Sequence, residues 1–288
     1  METIRGAPLV SVLVSSFNEE RYIGECIASI KNQTYPNIEL IVIDDASTDS
    51  TPQILRSMLS ENDVLVLNEK NLKHAACFNQ LLEMARGTYV KIVMADDVLM
   101  PESIERSVEI LEQEPSVSLV AHARRIIDHE SHKMFDVCIS KTPFKMNGRK
   151  MFLKCLASGT NIIGEPNACM FRRRDVSSKN FWDLSIIGAG ELTLWRRLLD
   201  CGDFYYDPTP LCGFRISPKS ATFVHSKKIA KHFMRYIEKL NSEGYGVPPS
   251  VVWKAWFYSH LKQELRRVVY LYIRAKLWYE RHINGGFV

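Results

Sequence analysis

Apolar positions in the first hundred residues alternate between two spacings. "LVSVLVSSF" is a short β-branched run with the character of a buried strand. "NEERYIGECIASIKNQ" then places Tyr22, Ile23, Cys26, Ile27 and Ile30 on one helical face, with Asn18 as the expected N-cap. "IELIVIDD" is a second near-continuous apolar strand. After the loop "ASTDST", the helix "PQILRSML" is expected to start with Thr51 as N-cap and Pro52 at its first position. "VLVLN", the helical "AACFNQLLEMARG" and the strand "YVKIVMA" complete the series. Solid apolar strands separated by helices predict an α/β fold with a mainly parallel sheet covered on both faces.

Beyond residue 100 the helix "PESIERSVEILEQE" is bounded by Pro101 and Pro115, and "VSLVAHARRIID" predicts a further strand. Residues near 129–165 are mixed in composition. "NACMFRR" is a candidate for a return to the sheet, and "ELTLWRRLLDCG" reads as a short helix ending at Gly202. From Ser226 two helical patterns dominate, separated by "SEGYGVPPS". No internal repeat or low-complexity tract is present.

Composition changes this picture in two places. The formal net charge is only +4, but from Lys219 onward thirteen Lys/Arg face four Asp/Glu, so the tail carries the positive excess. The seven cysteines are scattered without a CxxC pair or a zinc-like spacing, which fits a reduced, cytoplasmic compartment with most thiols buried. The N-terminal apolar run is broken by serines and lacks a small-residue cleavage site, so no signal peptide is expected. No stretch approaches the roughly 18 apolar residues of a spanning helix. With the basic residues confined to the tail and no recognition motif beside them, nucleic acid is not an expected partner.

Two acidic clusters carry the chemistry: "VIDDASTDST", with Asp44, Asp45 and Asp49, and "MADDV", with Asp96 and Asp97. In open α/β sheets ligands gather outside the carboxyl ends of the strands, where both clusters are expected. Adjacent carboxylates repel unless a cation or water lies beside them. A hard cation, Mg²⁺ or Mn²⁺, suits one or two carboxylates plus diphosphate oxygens from a substrate. Asp49 has a simpler use as a cap for the helix at Pro52. No Gly-rich loop follows the first strand, which argues against nucleotidyl transfer or dinucleotide binding.

The order of "VSVLVSSFNEERYI", "QTYPNIELIVIDDASTDST", the A-x-x-x-N-x-x-x-x-x-A-x-G-x-Y spacing from Ala75 to Tyr89, and "ADDV" resembles the family 2 glycosyltransferases of the GT-A, nucleotide-diphospho-sugar transferase fold. The resemblance runs from about Pro8 to Thr222. It implies a catalytic domain over 1–222, with a nucleotide-binding half to about residue 100 and an acceptor half after it, and leaves 223–288 as a basic helical extension. It further implies that Phe17 lies against the nucleotide base and Asp45 accepts a hydrogen bond from it. Asp44 becomes a structural neighbour, Asp96 holds the ribose, and Asp97 binds the metal, Mn²⁺ or Mg²⁺. Lys73 occupies a position where some members carry a basic residue near the base.

"GAGELTLWRRL" resembles the family's segment bearing the catalytic aspartate and puts Glu191 at that place, one methylene longer, with Trp195 as packing. "GFRISPKSATF" resembles a loop that often carries a histidine where this chain has Ser217, leaving Arg215 as the candidate for diphosphate contact. "IIGEPNACMFRR" resembles the acceptor-side segment of cell-surface glycan transferases. The implied activity is inverting, metal-dependent transfer from a nucleotide-diphospho-sugar, UDP-linked by expectation, to a surface or lipid-linked glycan. The alternative is a non-catalytic nucleotide-sugar-binding protein with a degenerate site. Lys/Arg and aromatic residues mixed at helical spacing make the tail a candidate for peripheral contact with the inner face of the cell membrane, against packing on a protein surface.

Overall fold

In the computed structural model residues 6–176, 181–182, 190–216 and 229–279 are described, apart from the side chains of residues 229 and 266–279. The apolar runs read from the sequence become β1 (Val10–Ser16), β2 (Ile38–Asp44), β3 (Val64–Leu67) and β4 (Tyr89–Met94). They pair in parallel in the order β3-β2-β1-β4. All seven residues of β1 are buried, as expected for a central strand covered on both faces. The register aligns Ser16 with Asp44 and Ser15 with Met94, so Phe17, Asp45 and Asp96 follow three strands that end at one edge.

The second half of the sheet is mixed. β9 (Cys169–Arg172) runs antiparallel between β4 and β6 (Val117–Ile127), and β10 (Asp203–Arg215) runs parallel to β6. Two antiparallel steps return β6 and β10 to the direction of β4, so Arg215 also arrives at the carboxyl edge. Shorter strands complete the sheet: β5 (Val98–Leu99) and β8 (Phe144–Met146) lie antiparallel to β10, and β7 (Lys133–Val137) to β6. "NACMFRR" therefore does return to the sheet. β10 was not read from the sequence because Pro208 and Pro210 interrupt it; the strand accommodates them with register shifts between Asp207 and Pro210 and between Pro210 and Cys212.

Helices connect these strands: α1 (Ile23–Lys31), α2 (Thr51–Met58), α3 (His74–Met84), α4 (Ser103–Gln113), α5 (Gly148–Ala157), α6 (Gly190–Cys201), α7 (Ile229–Ser242) and α8 (Pro249–Tyr279). α1 buries Ile23, Cys26, Ile27 and Ile30, the face expected from its spacing. Its start differs from expectation: Tyr22 holds the N-cap position, while Asn18 has φ 55° and its side-chain oxygen accepts the N–H of Thr48. Asn18 thus ties the loop after β1 to the loop after β2 instead of capping a helix. α2 likewise begins one residue early, with Ser50 as N-cap and Thr51 N–H donating to Asp49.

One buried carboxylate sets the spacing of β1, β2 and β4. Glu39 accepts from Ser11 Oγ, the Arg86 and Gly87 N–H groups and Arg86 Nε. Burial would raise its pKa, but these hydrogen bonds hold it below the ordinary carboxylate range. A side chain at Gly87 would put Cβ 2.6 Å from Ser11 N, so only glycine allows this approach.

The chain divides into two compact units. The first comprises Met1–Phe152, Ile163–Ser185 and Gly190–Ile216 and contains the whole sheet. The second draws on Leu153–Ile162 and on the chain after Ser217, with α7 and α8 as its described helices. Within it Gln263 of α8 accepts the Ala230 N–H of α7, and Lys262 Nζ donates to the Ser158 carbonyl. No described helix is long and apolar enough to cross a membrane.

Candidate active site

The first group of site residues stands where β1 and β2 end. Phe17 is 44% exposed, unusual for a large aromatic next to a fully buried strand. Asp45 N–H donates to the Ser16 carbonyl, which holds Asp45 beside it. The Asp45 side chain is buried and reaches toward the segment after β3: Oδ1 accepts from Asn68 Nδ2 and the Leu72 N–H, and Oδ2 from the Lys73 N–H. Burial would raise its pKa, but these donors bring it below the usual carboxylate range, so Asp45 is an anion at neutral pH. Lys73 sits at φ 73°, left-handed backbone for a non-glycine residue, and Asp45 anchors it there. The structure thus brings Phe17, Asp45 and Lys73 together. Asp44 accepts from Ser16 Oγ and from both the N–H and hydroxyl of Ser47, in keeping with a structural role.

The second group follows β4. Asp97 is almost completely buried; Oδ1 accepts the Arg215 N–H at 2.8 Å, while Oδ2 is buried with no hydrogen-bond partner among the described residues. Burial, reinforced by the neighbouring charge of Asp96, pushes the Asp97 carboxyl well above the usual range. Asp96, half-buried, is raised as well, chiefly by burial. No group of three or more His, Cys, Asp or Glu side chains able to hold a metal occurs among the described residues. Among the described residues, Asp97 Oδ2 is a buried carboxylate oxygen left unsatisfied. That suits Mg²⁺ or Mn²⁺, which bind through one or two carboxylates and take the remaining ligands from substrate phosphates and water.

Arg215 departs from expectation. Its side chain is fully buried, with Nε on the Asp96 carbonyl, Nη1 on the Asp128 carbonyl and Ser131 Oγ, and Nη2 on Glu25 Oε2. The guanidinium also lies 4.4 Å from the Tyr22 ring centroid. No edge is left for a diphosphate: Arg215 braces the Asp96–Asp97 turn from behind instead of touching a ligand. Ser217 lies outside the described residues.

Glu191 is in the first turn of α6, half-buried. Four residues on, and therefore on the same helix face, Trp195 is fully buried and its indole N–H donates to the Gly164 carbonyl at 3.2 Å. Trp195 is packing, as expected, but packing that fastens α6 to "GEPNA". Glu165, next in that segment, pairs with Arg124 of β6 and is close enough to Asp97 for its charge to add to the upward shift there. Sequence reasoning singled out neither Arg124 nor Glu165. The only signal was "GEP" itself, whose glycine has φ 124°.

The family model described as glycosyl transferase family 2 matches residues 11–181, more than half of the chain. A Methanocaldococcus jannaschii protein named as an uncharacterized glycosyltransferase is 27% identical over 274 residues, 92% of this chain and 89% of that one. Against other relatives the chain spans just under two thirds of their length. Among solved structures, the mannosyltransferase PcManGT of Pyrobaculum calidifontis, in complex with GDP-Man and Mn²⁺, is similar with a TM-score of 0.65 and 21% identity over 90% of this chain and 72% of its own. TarS of S. aureus, residues 1–349 in complex with UDP-GlcNAc, has a TM-score of 0.60 and 19% identity over 81% of this chain and 67% of that chain. These likenesses show the GT-A architecture.

Proposed function

Because the chain belongs to glycosyl transferase family 2, we propose that it transfers a sugar, with inversion, from a UDP-sugar to a hydroxyl of a cell-surface or lipid-linked glycan. The observation that carries this reading is the orphaned, buried Asp97 Oδ2 at the same sheet edge as the exposed Phe17 ring and the anionic Asp45. In this reading the base stacks on Phe17 and donates to the Asp45 carboxylate, which the surrounding N–H donors hold as an acceptor. Lys73 adds charge near the base and Asp96 receives the ribose hydroxyls. Asp97 holds Mn²⁺ or Mg²⁺, which supplies charge neutralisation for the leaving diphosphate when bound. Support for a divalent ion and a nucleotide-sugar comes from the contents of the PcManGT and TarS complexes.

Glu191 is the general base. It takes the proton of the acceptor hydroxyl as that oxygen bonds to the anomeric carbon, and the bond to the diphosphate oxygen breaks on the opposite face, its electron pair leaving with UDP. Positioned general bases contribute about 10²–10⁴ in rate. Glu191→Gln is therefore expected to lower turnover by about two orders of magnitude or more, with UDP-sugar affinity within about twofold of wild type. Undiminished turnover in steady-state UDP release would remove Glu191 from this role.

We further propose that residues 1–222 carry catalysis and that the helical extension, 223–288, meets an anionic lipid surface. On α8 the side chains of Trp253, Trp256, Phe257 and Leu261 are exposed at helical spacing, while Ala255 and Ser259 on the opposite side are buried. Indole rings favour the headgroup region, and the basic excess of the tail complements anionic lipid.

A further inference from the structure

Resting on the transferase reading, we propose that Arg124 and Glu165 form a subsite for neighbouring hydroxyls of the donor sugar, the moiety being transferred. The pair lies between the two ends of the proposed chemistry. Arg124, on β6, is in register with Cys212 of β10, and the next residue of β10, Gly213, pairs with Val98, directly after Asp97. On its other side the Gly164 carbonyl is gripped by Trp195, one helical turn after Glu191. A sugar joined to a diphosphate at Asp97 and attacked by an oxygen deprotonated at Glu191 has to occupy the space bounded by these two anchors.

The local structure is built to present this pair. Gly164, at φ 124°, would place a Cβ 3.1 Å from Arg124 Nη1, so the backbone closes directly over the guanidinium. Asn167, fully buried, donates to the Gly213 carbonyl and fixes the 3₁₀ turn Pro166–Ala168 behind Glu165. Glu165 uses Oε2 for Arg124, whereas Oε1 has no hydrogen-bond partner among the described residues. The Arg124 guanidinium has no other hydrogen-bonded partner among them. The side chains keep 12% and 25% of their surface, so the pair is mostly buried but reached by solvent. The pair thus combines an anionic acceptor with cationic donors, and neither side chain is sealed completely in the core. Vicinal sugar hydroxyls, each both donor and acceptor, match that arrangement.

The test compares UDP with UDP-GlcNAc, and GDP with GDP-mannose, as calorimetric ligands in the presence of Mn²⁺, using wild type, Glu165→Gln and Arg124→Met, each checked for an unchanged thermal transition. Hydrogen bonds to charged groups are worth roughly tenfold or more in affinity. For whichever nucleotide-sugar the wild type binds, both variants are expected to lose about tenfold more affinity toward the nucleotide-sugar than toward the bare nucleotide diphosphate. Should Arg124→Met unfold, Glu165→Gln alone decides. Equal losses for nucleotide and nucleotide-sugar, or no loss for either, would overturn the subsite. So would an effect confined to the acceptor KM. A wild type that binds no nucleotide at all would instead refute the transferase reading beneath it.

Discussion

At the scale of single residues, the site combines carboxyl groups pushed in opposite directions. Asp45 is surrounded by N–H donors and held as an anion, whereas Asp97 is buried with a bare oxygen and driven toward its neutral form. Both belong to Asp-Asp pairs that were legible in the sequence as strand-end carboxylates. Their division of labour was not, because it depends on donors from Asn68, Leu72 and Arg215 that are distant along the chain. Arg215 shows the same limit more sharply: its place in a family-like loop suggested a ligand contact, but Glu25, Asp128 and Ser131 converge on it from other elements. Removing a buried donor so that its acceptors lose their hydrogen bonds costs on the order of 1–3 kcal/mol, and Glu25, itself partly exposed, is left to water. Arg215→Met is therefore expected to lower the unfolding free energy by about that amount, with Mn²⁺ affinity falling alongside as the Asp96–Asp97 turn loosens. Unchanged stability in urea unfolding would show that the guanidinium does not brace the turn.

At the scale of elements, the β1 to β4 series followed from periodicity because solid apolar strands leave little ambiguity. The later strands were harder to read: β10 is broken by prolines and bulges, and β5 is two residues long. One residue within the readable part remains unexpected. Lys91 on β4 is fully buried, its Nζ has no hydrogen-bond partner among the described residues, and burial lowers its pKa from 10.5 to about 8. A depressed lysine pKa makes the folded state less stable as pH falls through about 8, and the deficit disappears as pH rises toward the unfolded value of 10.5. At roughly 1.4 kcal/mol per unit, that deficit is on the order of 3 kcal/mol at pH 7. Lys91→Met, similar in volume, is expected to raise the melting temperature at pH 7 and to lose most of that advantage by pH 10. A destabilised variant at pH 7 would mean that the ammonium has a stabilising partner.

At the scale of the whole molecule, the first unit carries the proposed chemistry and the second carries the exposed aromatic stripe of α8. The helical nature of the tail was readable from its spacing; its aromatic exposure was not, since a sequence does not tell which face of a basic amphipathic helix is covered. For the lipid reading, cosedimentation with vesicles of 30% phosphatidylserine is expected to retain the protein at low salt, with Trp253→Ala/Trp256→Ala reducing the bound fraction severalfold. Equal binding to neutral and anionic vesicles, or none to either, would contradict it.

The proposed function requires Asp97 and the Phe17–Asp45 platform to meet a single nucleotide diphosphate through a divalent ion. Calorimetric titration of UDP with Mn²⁺ or with EDTA, in wild type and Asp97→Asn, tests it most directly. Wild type is expected to bind at least about tenfold tighter with Mn²⁺, and Asp97→Asn to lose that gain while keeping the metal-free affinity, since a direct ligand should matter at least as much as the 10–100-fold typical of outer-shell partners. A Mn²⁺ enhancement that survives in Asp97→Asn would remove Asp97 as the metal ligand.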